Sequence, residues 1–95
     1  MKARLLIRDI RIFEDGARMT IKAWSVPELV PPTDHGLKYS LFYGMPGKRL
    51  VGYDNERGKG DHRHYGDREE PYVFQSLARL LDDFFNDIEK LRRRK

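Results

Sequence analysis

The chain has 95 residues, of which 36% are charged and 39% hydrophobic, and its formal net charge is +4. This length allows one domain with a small core, and the absence of cysteine excludes disulfides, a thiolate nucleophile and thiolate zinc ligands. No apolar run approaches the ~20 residues that a membrane helix needs. Without disulfides or a secretory signal, the sequence predicts a single cytoplasmic domain over residues 1–95 with no membrane contact.

The N-terminal segment, residues 2–13, has the alternation of a strand with one change of phase. The phase changes at Arg8–Asp9, where we expect a bulge. The apolar residues before and after it are predicted to lie on opposite faces: Ala3, Leu5 and Ile7, then Ile10 and Ile12. A turn is predicted at "EDG", 14–16, because glycine readily adopts positive φ. The alternating residues 18–26 would complete a hairpin, with Met19, Ile21 and Ala23 on one face.

The middle of the chain predicts two further strands. Residues 27–36 hold three of the five prolines and therefore form a loop or an edge segment. Residues 37–44 alternate as a third strand, and Pro46–Gly47 predicts a type II turn. A fourth strand follows in "RLVGYDN", 49–55, and 71–75 is a candidate for a short fifth.

The C-terminal segment predicts an amphipathic helix that begins after Ser76, a good N-cap residue. Its apolar residues recur at spacings of three and four: Leu77, Leu80, Leu81, Phe84, Ile88 and Leu91. The polar residues expected on the solvent side are Asp82, Asp83, Asn86, Asp87 and Lys90. The predicted fold is therefore α+β, an antiparallel sheet of four to five strands with one helix packed on one face and the other face free for binding.

The segment between Gly52 and Glu70, "GYDNERGKGDHRHYGDREE", is polar and rich in glycine. Glycine permits tight turns and the close approach of an anion, so Arg57 and Lys59 could converge there on a phosphate. The spacing of a Walker A loop is absent, and the phosphate-loop signal is weak. Lys59 is equally well explained as a solvated loop lysine.

His62 and His64 are two residues apart, so in an extended chain they point to the same side. Such a pair fits an acid and a base, a metal site completed by Asp61 or Asp54, or a structural hydrogen-bonded loop. The metal site would lack ligands, since His35 is the one further histidine. Asp54 either caps a turn through its side chain or orients a histidine.

Histidine with lysine and arginine suits metal-independent cleavage of RNA, with a base for the 2′-hydroxyl, an acid for the leaving oxygen and cations for the phosphorane. The candidate catalytic residues are His62, His64, Lys59 and Asp54. The candidate substrate-binding residues are Tyr53, Asn55, Arg57, Asp61 and Arg63. No metal or other cofactor is predicted. The same residues also suit RNA or protein binding without catalysis, and the basic tract 90–95 is either a nucleic-acid contact or a solvated helix end.

The sequence resembles the TumE-type toxin family over nearly its whole length. The resemblance is carried by "VGYDNERGKGDHRH", "REEPY", the N-terminal "KARLLIRD" and "WSVP", and the C-terminal helix. The positions that match the family signature are Asp54, Asn55, Gly58, Lys59, Gly60, Asp61, His62 and His64. The resemblance implies the toxin of a type II pair with a cognate antitoxin, expected to be a helix-turn-helix protein, and assigns no catalytic residue. Exposed strand edges also favour a homodimer, through an edge or the uncovered sheet face.

Overall fold

Alternating apolar residues and short glycine turns fold this chain into a meander. A computed structural model describes residues 3–28 and 35–93. The elements are β1 (Arg4–Ile12), β2 (Arg18–Ser25), β3 (Leu37–Met45), β4 (Lys48–Glu56), β5 (Gly60–Tyr65), β6 (Arg68–Pro71) and α1 (Leu77–Arg93). All neighbouring strands are antiparallel and follow chain order across one sheet. The predicted α+β fold is confirmed, although the sheet has six strands among the described residues rather than four or five.

The additional strand comes from the polar segment, which forms a hairpin and not a loop. The amide of Lys59 donates to the carbonyl of Glu56 at 3.1 Å, and Gly58 and Gly60 have φ of 87° and 82°. The chain can therefore reverse within three residues, and β5 returns along β4. A second reversal at Gly66 brings in β6, so the last strand lies at 68–71 and not at the predicted 71–75.

The core lies between one face of the sheet and α1. Met19, Ile21 and Ala23 of β2 are buried on that face, as their alternation predicts. From the predicted helical stripe, Leu80, Phe84 and Ile88 are buried and the three other leucines pack partly against them. The buried residues that β3 and β4 add are Tyr39, Leu41, Tyr43, Val51 and Tyr53.

Two aspartates of α1 depart from the predicted solvent side. Ser76 is the N-cap as expected, since its Oγ accepts from the amide of Arg79 at 3.0 Å. Asp83, however, accepts from the Tyr72 hydroxyl at 2.6 Å, and Asp87 accepts from the hydroxyl of Tyr65 at 3.0 Å. The helix lies close enough to the sheet for carboxylates beside its apolar stripe to bind tyrosines of the core.

The bulge in β1 lies earlier than predicted. Leu5 pairs with Trp24 and Ile7 with Ala23, so Leu6 is the extra residue and not Arg8–Asp9. The prediction that Leu5 and Ile7 share a face is therefore wrong, because the bulge separates them. Ile10 and Ile12 still lie on the face opposite Ile7, with 45% and 73% exposure.

The predicted turns at 14–16 and 46–47 are confirmed, with Gly16 and Gly47 at φ of 89° and 73°. Of the predicted loop 27–36, residues 29–34 lie outside the described part of the chain, as do Arg94 and Lys95 of the basic tract. Arg92 in that tract contacts Asp15 at 3.2 Å and the Tyr43 hydroxyl at 2.9 Å, so it joins the helix end to the first hairpin. In the described ranges no helix has the length and apolar character to cross a membrane.

Candidate nucleic-acid interface

The sheet face opposite α1, called here the open face, combines cations, aromatic rings and imidazoles. Its members follow from the strand registers. They are Leu5, Arg8, Ile10 and Ile12 of β1; Arg18, Thr20, Lys22 and Trp24 of β2; Lys38, Ser40 and Phe42 of β3; Arg49, Gly52 and Asp54 of β4; His62 and His64 of β5; and Glu69 and Pro71 of β6. A flat face of this composition suits an extended polyanion with stacking bases better than it suits a small ligand.

Both imidazoles of the "DHRH" motif lie on the open face. His62 is paired with Asp54 across β4 and β5, and His64 is paired with Gly52. Two residues of extended chain separate neighbours on one face by about 7 Å. The register thus places two imidazoles and one carboxylate side by side, as the spacing in the sequence predicts.

The hydrogen bonds of His64 determine which of its ring nitrogens carries the proton. Its Nδ1 lies 3.1 Å from Nη2 of Arg49, and its Nε2 lies 3.3 Å from Oδ1 of Asp54. A guanidinium only donates, so Nδ1 must accept and the ring proton resides on Nε2, directed at the carboxylate. His64 therefore connects a cation to an anion on the open face, and its side chain is only 11% exposed.

His62 has one ring nitrogen held and one free. Its Nδ1 lies 3.4 Å from Oε1 of Glu69, the same oxygen that lies 3.2 Å from Nζ of Lys59. Its Nε2 is buried and has no hydrogen-bond partner in the described part of the chain. With the proton on Nδ1 facing the carboxylate, Nε2 would carry a lone pair that no described group uses, beneath the surface of the open face. Arg57 is exposed in the turn that precedes β5.

Lys59 and Glu69 fix each other's charge. The hydrogen bond to Glu69 raises the pKa of Lys59, and the bond from Lys59 lowers the pKa of Glu69. Both groups are solvated, so the effect on stability is small. The pair still keeps a positive amine and a negative carboxylate next to His62 at neutral pH.

Arg49 belongs to this cluster, and sequence analysis missed it. A bulge at Leu50 lies between the pairs Tyr43–Val51 and Gly44–Arg49, so Arg49 and Gly52 share the open face although they are three residues apart. A Cβ on Gly52 would lie 2.9 Å from Cδ of Arg49. The signal in the sequence is Gly52 itself, because glycine within a strand often marks a close approach.

Tyr53 and Asn55, two of the expected substrate-binding residues, lie on the helix side and are fully buried. The Tyr53 hydroxyl donates to Asp87. The Asn55 amide accepts from the backbone of Tyr39 at 3.0 Å and donates to the carbonyl of Leu37 at 2.7 Å. These bonds give both side chains a role in joining β4 to its neighbours.

Asp61 and Arg63 also point to the helix side, as alternation with His62 and His64 requires. Asp61 accepts from the Tyr39 hydroxyl at 2.6 Å and lies 2.9 Å from Nε2 of His35. Arg63 donates to Glu70 at 2.5 Å. Of the expected site residues, the open face thus unites His62, His64 and Asp54 with Lys59 nearby, and it leaves out Tyr53, Asn55, Asp61 and Arg63.

Two further features frame the site. Over residues 3–28 and 35–93, no three histidine or acidic side chains converge as a metal-binding group. A concavity of about 470 Å³ lies away from the histidines, between the end of α1 and the β5–β6 turn, and Tyr65, Arg68 and Lys90 contribute to its lining. The imidazole cluster therefore belongs to a surface and not to a closed cavity.

These features define a class: a small basic α+β protein whose meander is covered by one helix and presents a histidine-containing open face. The family model described as Toxin TumE matches residues 2–92 of the chain. The chain belongs to that toxin family, and a toxin of this family implies a cognate antitoxin. Comparisons with curated proteins and with solved structures gave no match.

Proposed function

We propose that this member of the TumE toxin family acts on RNA at its open face, as a metal-independent endoribonuclease within a type II toxin–antitoxin pair. The observation that carries the proposal is the environment of His62, whose buried Nε2 has no hydrogen-bond partner among the described residues. Its Nδ1 shares Glu69 with Lys59, and the neighbouring His64 contacts Arg49. A substrate would reach Nε2 when the side chains that cover it move aside. Imidazole titrates near neutral pH and can remove a proton there. The cognate antitoxin would be a helix-turn-helix protein that masks this face.

The proposed chemistry is an attack by the 2′-hydroxyl of RNA on the adjacent phosphate. His62 removes the proton of the hydroxyl through Nε2, while Glu69 stabilises the imidazolium that forms. The His62 imidazolium then returns this proton to the leaving 5′-oxygen. The neutral His64 ring keeps its proton and donates a hydrogen bond from Nε2 to a phosphate oxygen that takes the place of Asp54. Arg49 and Lys59 stabilise the negative charge that develops on the phosphorane. The products are a 2′,3′-cyclic phosphate and a free 5′-hydroxyl.

The remainder of the open face supports binding of a single strand. Trp24 is 36% exposed and lies next to Lys22 and Lys38. Exposed aromatic rings bind bases by stacking, and neighbouring cations bind phosphates. Strands lie about 4.8 Å apart, so Trp24 on β2 and His62 on β5 are separated by three such intervals. A short stretch of unpaired RNA would span this distance.

The test compares His62→Ala with His35→Gln, which removes an imidazole from the opposite side of the sheet. Purified chain is incubated with single-stranded RNA in the presence of chelator, and initial rates are measured. Loss of a catalytic base should lower kcat by ~10²–10⁴-fold and leave KM nearly unchanged. His35→Gln should cleave at the wild-type rate, with circular dichroism confirming that both variants fold.

Several results would contradict the proposal. They are unchanged cleavage by His62→Ala, loss of cleavage with chelator, or the absence of any 2′,3′-cyclic phosphate. In cells the same variant should abolish growth arrest at unchanged protein level. Arrest that persists in the His62/His64 double variant would exclude the acid–base assignment.

The second candidate is binding without catalysis, and the basic residues Arg8 and Lys22, adjacent across β1 and β2, favour it. In that case RNA would bind with strong salt dependence and stay intact. Lys22→Glu would then weaken binding far more than His62→Ala. Such a result would identify a nucleic-acid-binding toxin in place of a nuclease.

A further inference from the structure

Strand β1 is an edge strand with exposed isoleucines and exposed charges of both signs. It pairs with β2 and with no other strand of the described chain. The Phe13 amide bonds to the Ala17 carbonyl at 2.8 Å. The regular alternation of antiparallel bonds then directs the free N–H and C=O groups of Arg8, Ile10 and Ile12 outward. Ile10 and Ile12 are 45% and 73% exposed. The exposed charges of β1, at Arg8, Asp9 and Arg11, disfavour pairing with an arbitrary strand but allow pairing with a strand of complementary charge.

We propose that β1 pairs with β1 of a second copy about a twofold axis at Ile10, giving a dimer with one continuous sheet. The two Ile10 residues would face each other and exchange both backbone bonds. Arg8 would lie opposite Ile12 of the second copy, and Asp9 opposite Arg11 of the second copy. Asp9 and Arg11 are exposed on the helix side, and neither has an ion pair with a described residue.

The sequence of β1 favours this register over its neighbours. The twofold axis must lie at a residue whose backbone N–H and C=O groups point away from β2. The candidates are Arg8, Ile10 and Ile12. An axis at Arg8 would oppose two guanidinium groups, which is unfavourable. An axis at Ile12 would place Arg11 opposite Phe13. Only the axis at Ile10 joins Asp9 to Arg11, and it does so twice, in the closely spaced non-hydrogen-bonded pairs.

The second copy is preferred to another protein because the edge is complementary to itself in charge and in the positions of its outward backbone groups. A twofold axis perpendicular to the sheet keeps both helices on one side and both open faces on the other. The dimer would thus present one basic surface of twice the width, with Arg8 of each copy near its centre. This assembly does not depend on whether the toxin cleaves RNA, so its test is independent of the proposed function.

The first experiment is cross-linking of full-length chain made by cell-free synthesis. Ile10→Cys should form a disulfide-linked dimer under mild oxidation, because hydrogen-bonded antiparallel partners have Cα atoms about 5.5 Å apart, within disulfide range. Thr20→Cys, its neighbour on β2 and on the same face, should remain uncross-linked. Sedimentation should give twice the 11.3 kDa chain mass for the wild type.

The second experiment is a charge swap. Asp9→Arg and Arg11→Asp should each raise the dimer dissociation constant about tenfold or more, because two attractive pairs become repulsive. The double variant should restore dimerisation, which a mere folding defect would not do. A monomeric wild type, equal cross-linking by both cysteine variants, or a double variant as weak as the single ones would overturn the proposal. So would a β1 edge occupied only by another protein.

Discussion

At the scale of single residues, the site depends on a glycine. Gly52 lies in the middle of β4, where the side chain of Arg49 crosses it on the way to His64. A residue with a Cβ at position 52 would collide with the side chain of Arg49. The glycine is thus explained by a neighbour's side chain and not by a turn, since its φ is not positive.

Gly52→Ala should weaken catalysis without unfolding the protein. The added Cβ would lie 2.9 Å from Cδ of Arg49, and because that side chain is flexible it would move away from His64 while the backbone stays. Under the proposed mechanism kcat/KM for RNA should fall to the value of Arg49→Ala. The double variant should fall no further, because residues that act through one contact are not additive.

The control is Asn86→Ala, an exposed residue of α1 on the side of the sheet opposite the open face. It should retain wild-type cleavage. Urea unfolding of all four proteins separates a loss of activity from a loss of structure. If the effects of Gly52→Ala and Arg49→Ala added in full, then Gly52 would act by another route.

At the scale of elements, α1 is the part that the sequence specified best. Apolar residues at spacings of three and four define its buried stripe, and Ser76 marks its start. The two adjacent phenylalanines illustrate how sharply the helix divides core from solvent. Phe84 is fully buried against Tyr53, at 6.0 Å between ring centroids, whereas Phe85 is 44% exposed.

Phe84→Ala should destabilise the protein by about 3–5 kcal/mol, the usual cost of removing a buried phenylalanine. The neighbouring Phe85→Ala should change the free energy of unfolding by less than about 1 kcal/mol, because its ring is largely solvated. Urea or thermal denaturation measures both. Similar losses for the two variants would mean that Phe85 is buried in solution, for instance in an assembly.

The polar hairpin of β4 and β5 is the element that the sequence analysis did not predict. Glycine and charge between 56 and 66 indicate a loop, but β5 becomes a strand because β4 offers it a ladder. Its two faces then receive opposite roles. His62 and His64 face the open side, while Asp61 and Arg63 bind tyrosine and glutamate on the helix side.

At the scale of the whole molecule, the core depends on neutral tyrosines. Burial, followed by hydrogen bonds to carboxylates, raises the pKa of Tyr39, Tyr53 and Tyr72 well above the usual value near 10. The carboxylates are Asp61, Asp87 and Asp83. Each phenol must stay protonated for its bond to persist, so the core is sensitive to alkali.

Stability should therefore decline above pH 10. The pKa of each tyrosine is higher in the folded than in the unfolded protein. The stability that each tyrosine contributes is therefore fully present below the unfolded pKa and is lost as pH rises towards the folded pKa. Each tyrosine should lower the free energy of unfolding by about 1.4 kcal/mol per pH unit in that window. Denaturant unfolding at successive pH values measures the combined slope. The Tyr72→Phe variant should reduce this slope by the contribution of one tyrosine. An unchanged slope in that variant would contradict the assignment.

The sequence by itself determined the α+β class and the helix with its buried stripe. It also determined which side chains share a face in most strands, including His62 and His64. Local periodicity fixes these features, since side chains recur every two residues in a strand and every three to four in a helix. Only the tertiary structure decided that the polar segment is a hairpin, that Asp83 and Asp87 hold core tyrosines, and that Arg49 joins the imidazoles. Those outcomes depend on strand register, and two single-residue bulges, at Leu6 and Leu50, reverse the alternation of faces within β1 and β4.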